Sequence, residues 1–386
     1  MKSNYKRLGN YIGVVDKRNR NLEIENLIGL SIQKKFIPSI SNTIGTDMST
    51  YRILNQYQFS YCSVTSRNGE KITIALYQEE KTAMVSQAYD VFEITNEKEL
   101  LPEYLMMWFR RPEFDRYARF ISHGSVREMF SWEDMCEVML PVPHPDKQKE
   151  IVKEYNTIVN RITLNNQLIQ KLEETAQAIY KQWFVDFEFP NDEGKPYKSN
   201  GGEMEMNLEL EKEIPVGWEM KKLSEFSVMK YGKMLDADFF LDKGYPVFSG
   251  YGVRGFYTQY MYEEPQILVL CRGVSGTGEV KLSPSFAYIT NLSIIVEANQ
   301  GIVKKMYLYY FLKNENLRSL DSGSAQSQIT TGDLYAQSVL VPKIQIQSKF
   351  NEFIEHLMNR KELLKIEITA LQNLQNLLLS KLATIE

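Results

Sequence analysis

Val142-Pro143-His144-Pro145-Asp146 opens a run in which Ile151, Tyr155, Ile158, Ile162, Asn165, Ile169, Leu172, Ala176, Ile179 and Trp183 recur at alternating spacings of four and three. That is the heptad seam of a long helix packed on another helix. The second helix is in the same chain. Displaced by 199 positions and with no gap, Val142-Pro143 returns as Val341-Pro342, Gln148 as Gln347, Asn160-Arg161 as Asn359-Arg360, and Leu164 as Leu363. The seam returns as Phe350, Ile354, Leu357, Lys361, Leu364, Ile368, Leu371, Gln375, Leu378 and Leu382. An amphipathic helix of this length needs an apolar surface to lie on, and the economical one is the other copy.

Each helix, with Asp146 as the expected N-cap of the first, is about 57 Å long at 1.5 Å per residue. Chain reach permits parallel or antiparallel pairing. Antiparallel pairing is the simpler expectation, since the second globular segment can then form where the first helix ends. Asn165, Lys361 and Gln375 occupy seam positions where leucine is more stabilising. Polar seam residues set register or orientation at a cost in stability, or mark where the seam opens toward another protein; both readings stand.

Working outward, the same shift lays His123-Gly124-Ser125 on Ser322-Gly323-Ser324 and Asp134 on Asp333. Further upstream the register drifts: Lys6-Arg7-Leu8 matches Lys221-Lys222-Leu223 at 215, and Tyr104-Leu105 matches Tyr307-Leu308 at 203. A variable segment thus precedes each fixed one. Short β-type runs, Phe59 to Thr65, Lys71 to Leu76, Val91 to Ile94, Pro265 to Cys271 and Ser293 to Val296, are bounded by Gly, Asn and Ser, and a short helix follows in each half (Pro102 to Phe109; Lys304 to Leu312). The expected fold class is two mixed α/β (α+β-like) globules in an internal repeat, separated by two long helices forming an antiparallel coiled coil. The expected boundaries are a first globule over 1–143, a helical spacer over 144–190, an acidic linker over 191–217, a second globule over 218–342 and a second spacer over 343–386.

The length, 386 residues, suits more than one core, and 43% hydrophobic with 24% charged residues excludes global disorder. No apolar run approaches the roughly 20 residues of a membrane helix, so no membrane association is expected. The start of the chain lacks the pattern of a secretory signal, and Cys62, Cys136 and Cys271 form no Cys-x-x-Cys, so a reducing cytoplasm is the expected location. The net charge of −4 is misleading. Between Val185 and Gly217 nine acids face three lysines, a balance of −6, which leaves the remainder near +2 and free to carry basic patches.

Catalytic signatures fail on context. Gly250-Tyr251-Gly252-Val253-Arg254-Gly255 matches the dinucleotide-loop spacing, but β-prone Phe256-Tyr257 follows where a helix N-terminus is needed. Gly273 to Gly278 has the spacing of a phosphate loop, with Glu279 in place of the lysine. The three histidines share no metal-ligand spacing with cysteines or carboxylates. No catalytic residue and no metal site are expected. Binding residues are more prominent. Arg67-Asn68 and Arg272-Gly273 follow strand-like runs at matching turns, and arginine reads guanine bidentately or clamps phosphate. Ser125 and Arg127 match Ser324, Gln326 and Gln328 as polar loops, with side chains suited to base edges and phosphates. Tyr251 and Arg254 combine aromatic and cationic groups near glycines, and Lys34-Lys35 adds local charge. Solvated turns and ordinary loop polarity are the competing readings at each of these positions.

Two variable globules, each ending in a Gly-Ser loop, a Val-Pro and a long helix, resemble the specificity subunit of type I restriction-modification systems. Ala176 to Glu188, and Gly194-Lys195-Pro196-Tyr197-Lys198 through Ile214-Pro215-Val216-Gly217-Trp218, are similar to the end of that family's central conserved region. The resemblance implies a non-catalytic chain whose globules are target-recognition domains for a bipartite, asymmetric double-stranded DNA target. It implies helices that dock two adenine-methyltransferase subunits, with ATP-dependent restriction subunits joining in the full complex. Cofactors would then belong to partners: S-adenosylmethionine to the methyltransferase, ATP and Mg to the restriction subunit, and none to this chain. Val159, Trp183, Phe184 and Leu379 flank the seam and are candidates for the docking, with intramolecular packing as the competing role. Two readers about 57 Å apart span on the order of 17 base pairs at the 3.4 Å rise of duplex DNA. A coiled-coil assembly scaffold without DNA specificity, and an enzyme acting on nucleotides, are the alternative readings; the missing catalytic constellation counts against the enzyme.

Overall fold

The structure, a computed structural model, describes residues 4–39, 45–65, 69, 71–122, 128–273, 276–321 and 327–385. The chain divides into two compact units. Unit 1 is Met1–Asn166 with Lys365–Glu386, and unit 2 is Gln167–Leu364. Neither unit is continuous in sequence, because each contains one end of each long helix, Pro145–Tyr180 and Ile344–Lys381.

In unit 1 a four-stranded antiparallel sheet runs in the order Ile12–Val14, Asp90–Ile94, Phe59–Tyr61, Ile74–Leu76. Tyr5–Arg7 pairs with Met139–Pro141, so the start of the globule is stitched to the strand that leads into the long helix. The central strands face the helix Pro102–Phe109, and Phe59 and Phe92 stack at 4.8 Å with Phe109 edge-on to both. Ile151 and Tyr155 of the first long helix, Leu379 of the second and Leu382 of the 3-10 turn that follows it join this core, each nearly inaccessible to solvent. Tyr155 accepts a 2.8 Å hydrogen bond from Gln375 Nε2, and Arg161 Nε meets Glu367 Oε1 at 2.7 Å. Residue numbers rise along one helix as they fall along the other, which is antiparallel pairing.

Unit 2 repeats the scheme. Its four-stranded sheet has the order Ser227–Tyr231, Ser293–Ala298, Ile267–Leu270, Val280–Leu282, and Glu219–Lys222 pairs with Ser338–Val341. The helix Lys305–Asn314 takes the place of Pro102–Phe109, and its Tyr307 lies 4.6 Å from Phe184, which lies 4.9 Å from Phe350. Lys361 Nζ meets Glu173 Oε1 at 2.9 Å, and the Tyr180 and Phe350 rings pack at 6.2 Å, again antiparallel. The units differ in what decorates the sheet: a hairpin Ile28–Ser31/Lys35–Pro38 and the pair Arg52–Leu54/Ala83–Val85 in unit 1, and a three-stranded sheet of Tyr245–Phe248, Val253–Tyr257 and Tyr288–Ile289 in unit 2.

Two buried glutamines fix the start of each long helix. Gln148 Nε2 donates to Glu99 O and Pro143 O (2.6 and 2.8 Å) and its Oε1 accepts from Leu101 N (2.9 Å). Gln347, 199 positions on, repeats this with Ile302 O, Pro342 O and Lys304 N at 3.2, 2.7 and 2.8 Å. In each unit one amide thus ties the helix to the loop before the short helix. Several expectations need correction. The first long helix starts at Pro145, so Asp146 lies in its first turn beside the positive end of the dipole rather than at the cap. It ends at Tyr180 and gives way to a π-helical turn over Lys181–Val185. The helix Pro112–Ile121 and the capping-box helices after Ser131 and Thr330 carry too few heptad positions to stand out in sequence.

Of the polar seam residues, Gln375 and Lys361 find partners on the facing helix. Asn165 is 3% exposed and its Nδ2 has no hydrogen-bond partner among the described residues. A buried unsatisfied amide costs about 1–3 kcal/mol, so Asn165→Leu raises stability by roughly that amount in urea denaturation. Gln148→Ala, which strands one amide and two carbonyls, lowers it by a similar amount and speeds hydrogen exchange in unit 1 before unit 2.

Candidate nucleic-acid interface

Each globule's central strand runs on into a loop whose root is bonded to a second loop. In unit 1, beyond Tyr61, Val64 bridges Met129, Thr65 N and Oγ1 both donate to Glu128 O (3.0 and 3.2 Å), and Phe130 N donates to Ser63 O (2.8 Å). Ser131 and Asp134 then close a capping box. In unit 2, beyond Leu270, Arg272 bridges Gln328 and Ile329 N donates to Cys271 O (3.1 Å), and Thr330 and Asp333 close the matching box. Met129 and Gln328 are 199 apart, so the two necks are one device used twice.

The necks carry the loops singled out in the sequence. Arg67, Asn68, Ser125, Arg127, Ser324 and Gln326 lie outside the described residues. Among the described ones, Tyr251, Arg272 and Gln328 come together: Tyr251 Oη donates to Arg272 O at 2.8 Å and Arg272 bridges Gln328. Arg254, in the strand Val253–Tyr257 that follows the turn carrying Tyr251, is exposed, and its Nε donates to Ser249 Oγ at 3.3 Å. Arg272 is exposed as well. The bridges also revise one equivalence. The residue at Arg272's place in unit 1 is Val64, and Arg67 comes three positions later in the sequence.

Lys34 and Lys35, adjacent in sequence, have opposite fates. Lys35 is exposed at the head of a strand. Lys34, at φ +58°, is turned inward and 5% exposed; its ammonium meets Asp115 Oδ1 at 2.7 Å and donates to Phe109 O. Burial pushes its pKa below the usual lysine value, against the pull of Asp115. Asp115 Oδ1 also accepts from Ile72 N at 3.1 Å, so the pair joins the hairpin, the sheet and the helix Pro112–Ile121. Lys34 is therefore an internal tie and not a surface cation. Phe184 and Leu379 are likewise core residues, 5% exposed each, of unit 2 and unit 1; Trp183 and Val159 lie partly buried against those same cores.

Sequence reasoning missed Lys281, whose ammonium stands 6.0 Å from the Tyr251 ring centroid, and the Arg119–Glu128 ion pair at the unit 1 neck. It also missed the network in which Arg52 meets Asp90 at 3.0 Å and Asp16 at 3.3 Å. None of these has a local signal, since each depends on which separate elements lie side by side. The glycine motif 250–255 is a turn running into the strand Val253–Tyr257, with no helix N-terminus to hold a pyrophosphate. Burial raises the pKa of all three cysteine thiols, the reverse of what an activated nucleophile needs. Among the described residues no cluster of His, Cys, Asp or Glu could hold a metal ion, and no helix is long and apolar enough to cross a membrane.

Two stretches, 13–174 and 215–373, match the family model described as the type I restriction modification DNA specificity domain. The chain belongs to that family. It is a type I restriction-modification specificity subunit with the domain present twice, which accounts for the repeat. The MjaIX specificity subunit of Methanocaldococcus jannaschii is 25% identical over 310 residues, covering 73% of this chain and 68% of that one. The HindI specificity subunit of Haemophilus influenzae is 31% identical over 107 residues, 27% of this chain and 23% of that one. A crystal structure of the type I system S subunit from M. genitalium shares the fold at a TM-score of 0.61 and 16% identity, covering 98% of this chain and 95% of that one. The specificity subunit's loop necks and buried ion pair thus occur in both halves of the matched region or in the first half.

Breaking a buried ion pair by removing one partner costs about 3–5 kcal/mol. Lys34→Ala and Asp115→Ala each destabilise unit 1 by about that much, while Lys35→Ala stays within about 0.5 kcal/mol. Denaturant midpoints of the three variants give the comparison.

Proposed function

We propose that this specificity subunit reads a bipartite, asymmetric double-stranded DNA target, one half-site by each unit, on behalf of a type I restriction-modification complex. The observation that carries the reading is the repeated neck: two loops rooted on one bridge, at the same place in each unit, with different residues around them. Arg67, Asn68, Ser125 and Arg127 are the proposed contacts of unit 1. Lys35 adds a phosphate contact in unit 1, and Tyr251, Arg254, Arg272, Ser324, Gln326 and Gln328 are the proposed contacts of unit 2. Because the residues differ, the half-sites differ.

The chain performs no chemistry of its own on this reading. Two adenine-methyltransferase subunits bring S-adenosylmethionine, and restriction subunits, in the full complex, bring ATP and Mg, all in the cytoplasm. Docking falls to the outward faces of the helix ends near Val159 and Trp183 and not to the buried Phe184 and Leu379.

The test is a genome-wide map of methylated adenines in cells carrying the chain with its cognate methyltransferase, against cells without the chain. The expected result is a two-part asymmetric motif that disappears with the chain; its persistence would reject the reading in favour of an assembly scaffold. Arg272→Ala relaxes one half-site and Arg67→Ala the other, each by about 1–3 kcal/mol of base discrimination if the contact is bidentate to guanine.

A further inference from the structure

In unit 2 the turn 249–252 meets Arg272, Gly273 and Gly276 through one aromatic ring. Gly250, at φ +81°, lets the turn lie directly on the sheet: a Cβ there would stand 2.5 Å from Ser293 Oγ and 2.7 Å from Leu270 Cδ1. Only glycine tolerates both the angle and the approach. Tyr251 is thereby carried over the loop. Its hydroxyl donates to Arg272 O at 2.8 Å. Its ring lies so near two glycines that a Cβ on Gly273 would come within 2.2 Å of Oη, and one on Gly276 within 2.5 Å of Cε1.

The loop is held from other sides too. Thr277, 3% exposed, donates through Oγ1 to Gly273 O at 2.6 Å, and Gly278 N donates to Leu270 O at 2.8 Å. The Arg272 backbone is therefore gripped by the Tyr251 hydroxyl on one side and by the bridge to Gln328 on another, while its side chain stays exposed. The contrast is within one residue: a backbone held at two points and a side chain exposed. Two-pronged reading of a base edge depends on that kind of placement, since both N–H groups must arrive in plane together.

We propose that Tyr251 is a positioning residue for sequence specificity: it holds the Arg272 backbone and lies on Gly273 and Gly276, and so sets the approach of Arg272 to the second half-site. This refines the DNA contact assigned to Tyr251 above and rests on the DNA-reading function. Affinity comes mainly from phosphate contacts spread over the complex, and discrimination from a few base contacts. Loosening the pin therefore lowers discrimination at one half-site and leaves overall affinity for DNA nearly intact.

The experiment uses the intact complex of this chain with its methyltransferase subunits. Binding is measured to duplexes with single base-pair changes across both half-sites, at several salt concentrations. Tyr251→Phe, which keeps the ring and removes the hydrogen bond to Arg272 O, lowers discrimination in the second half-site on the order of three- to tenfold, the worth of one neutral hydrogen bond. The first half-site and the salt slope do not change. Gly276→Ala has a similar or larger effect, and adds nothing in a Tyr251→Ala background, where the clashing ring is gone; if Tyr251→Ala does not fold, Tyr251→Phe and Gly276→Ala alone carry the test. An equal loss on every duplex with a shallower salt slope would make Tyr251 a phosphate contact and overturn the proposal, as would unchanged discrimination. A wild-type complex that binds all duplexes alike would instead remove the DNA-reading function itself, and the positioning role with it.

Discussion

The antiparallel seam between the two long helices is the interaction on which each unit depends. Unit 1 closes its core with Leu379 and Leu382 from the end of the chain, and unit 2 closes its own with Ala176, Tyr180 and Phe184 from the middle. Each fully buried large apolar side chain is worth about 1.5–3 kcal/mol, so a unit deprived of its borrowed helix end would expose several such residues at once. Neither unit is a stretch of sequence that could be cut out at a linker. The polar seam contacts, Gln375 to Tyr155 and Lys361 to Glu173, are satisfied only in the antiparallel arrangement, which makes them agents of orientation as much as of stability.

Around that seam the repeat is conservative in its joints and free in its decoration. The buried glutamine, the capping box, the strand that returns to the globule's beginning and the loop neck occur in both units at matching places. The decoration does not repeat: a hairpin anchored by Lys34 and Asp115 on one side, and a sheet whose Tyr251 lies on two glycines on the other. The division has a physical origin. Joints carry buried polar groups that must all be paired, and loss of a single partner strands the rest. An exposed loop carries no such obligation, so it can change its side chains while its root stays bonded.

Much of the architecture was legible in the chain. The 199-residue shift, the four-and-three spacing and the short β-type runs led to the two long helices, to five of the strands within a few residues, and to the helix Pro102–Phe109 at its observed limits. The site was legible only in part. Arg272 and Gln328, singled out on separate loops, meet at one neck, whereas Lys34, singled out with Lys35 for local charge, is sealed against Asp115. Eighty-one positions separate Lys34 from Asp115, and no local rule links them. At Phe184 and Leu379 the structure shows the packing role that stood beside docking: periodicity places a residue on a helix face, but which neighbour covers that face depends on elements far away.

What the sequence by itself determined is what repeats with a period: that a mixed segment followed by a long amphipathic helix occurs twice, and that the two seams match. Helical and strand periodicity are local properties, set by 3.6 and 2 residues per repeat, and survive in any one stretch of chain. Only the tertiary structure decided which lysine of a pair is buried, which ring lies on which glycines, and which valine stands where the other unit has an arginine. Those outcomes depend on the packing of segments distant in sequence, where a contact of a few ångströms is won or lost by every element between them.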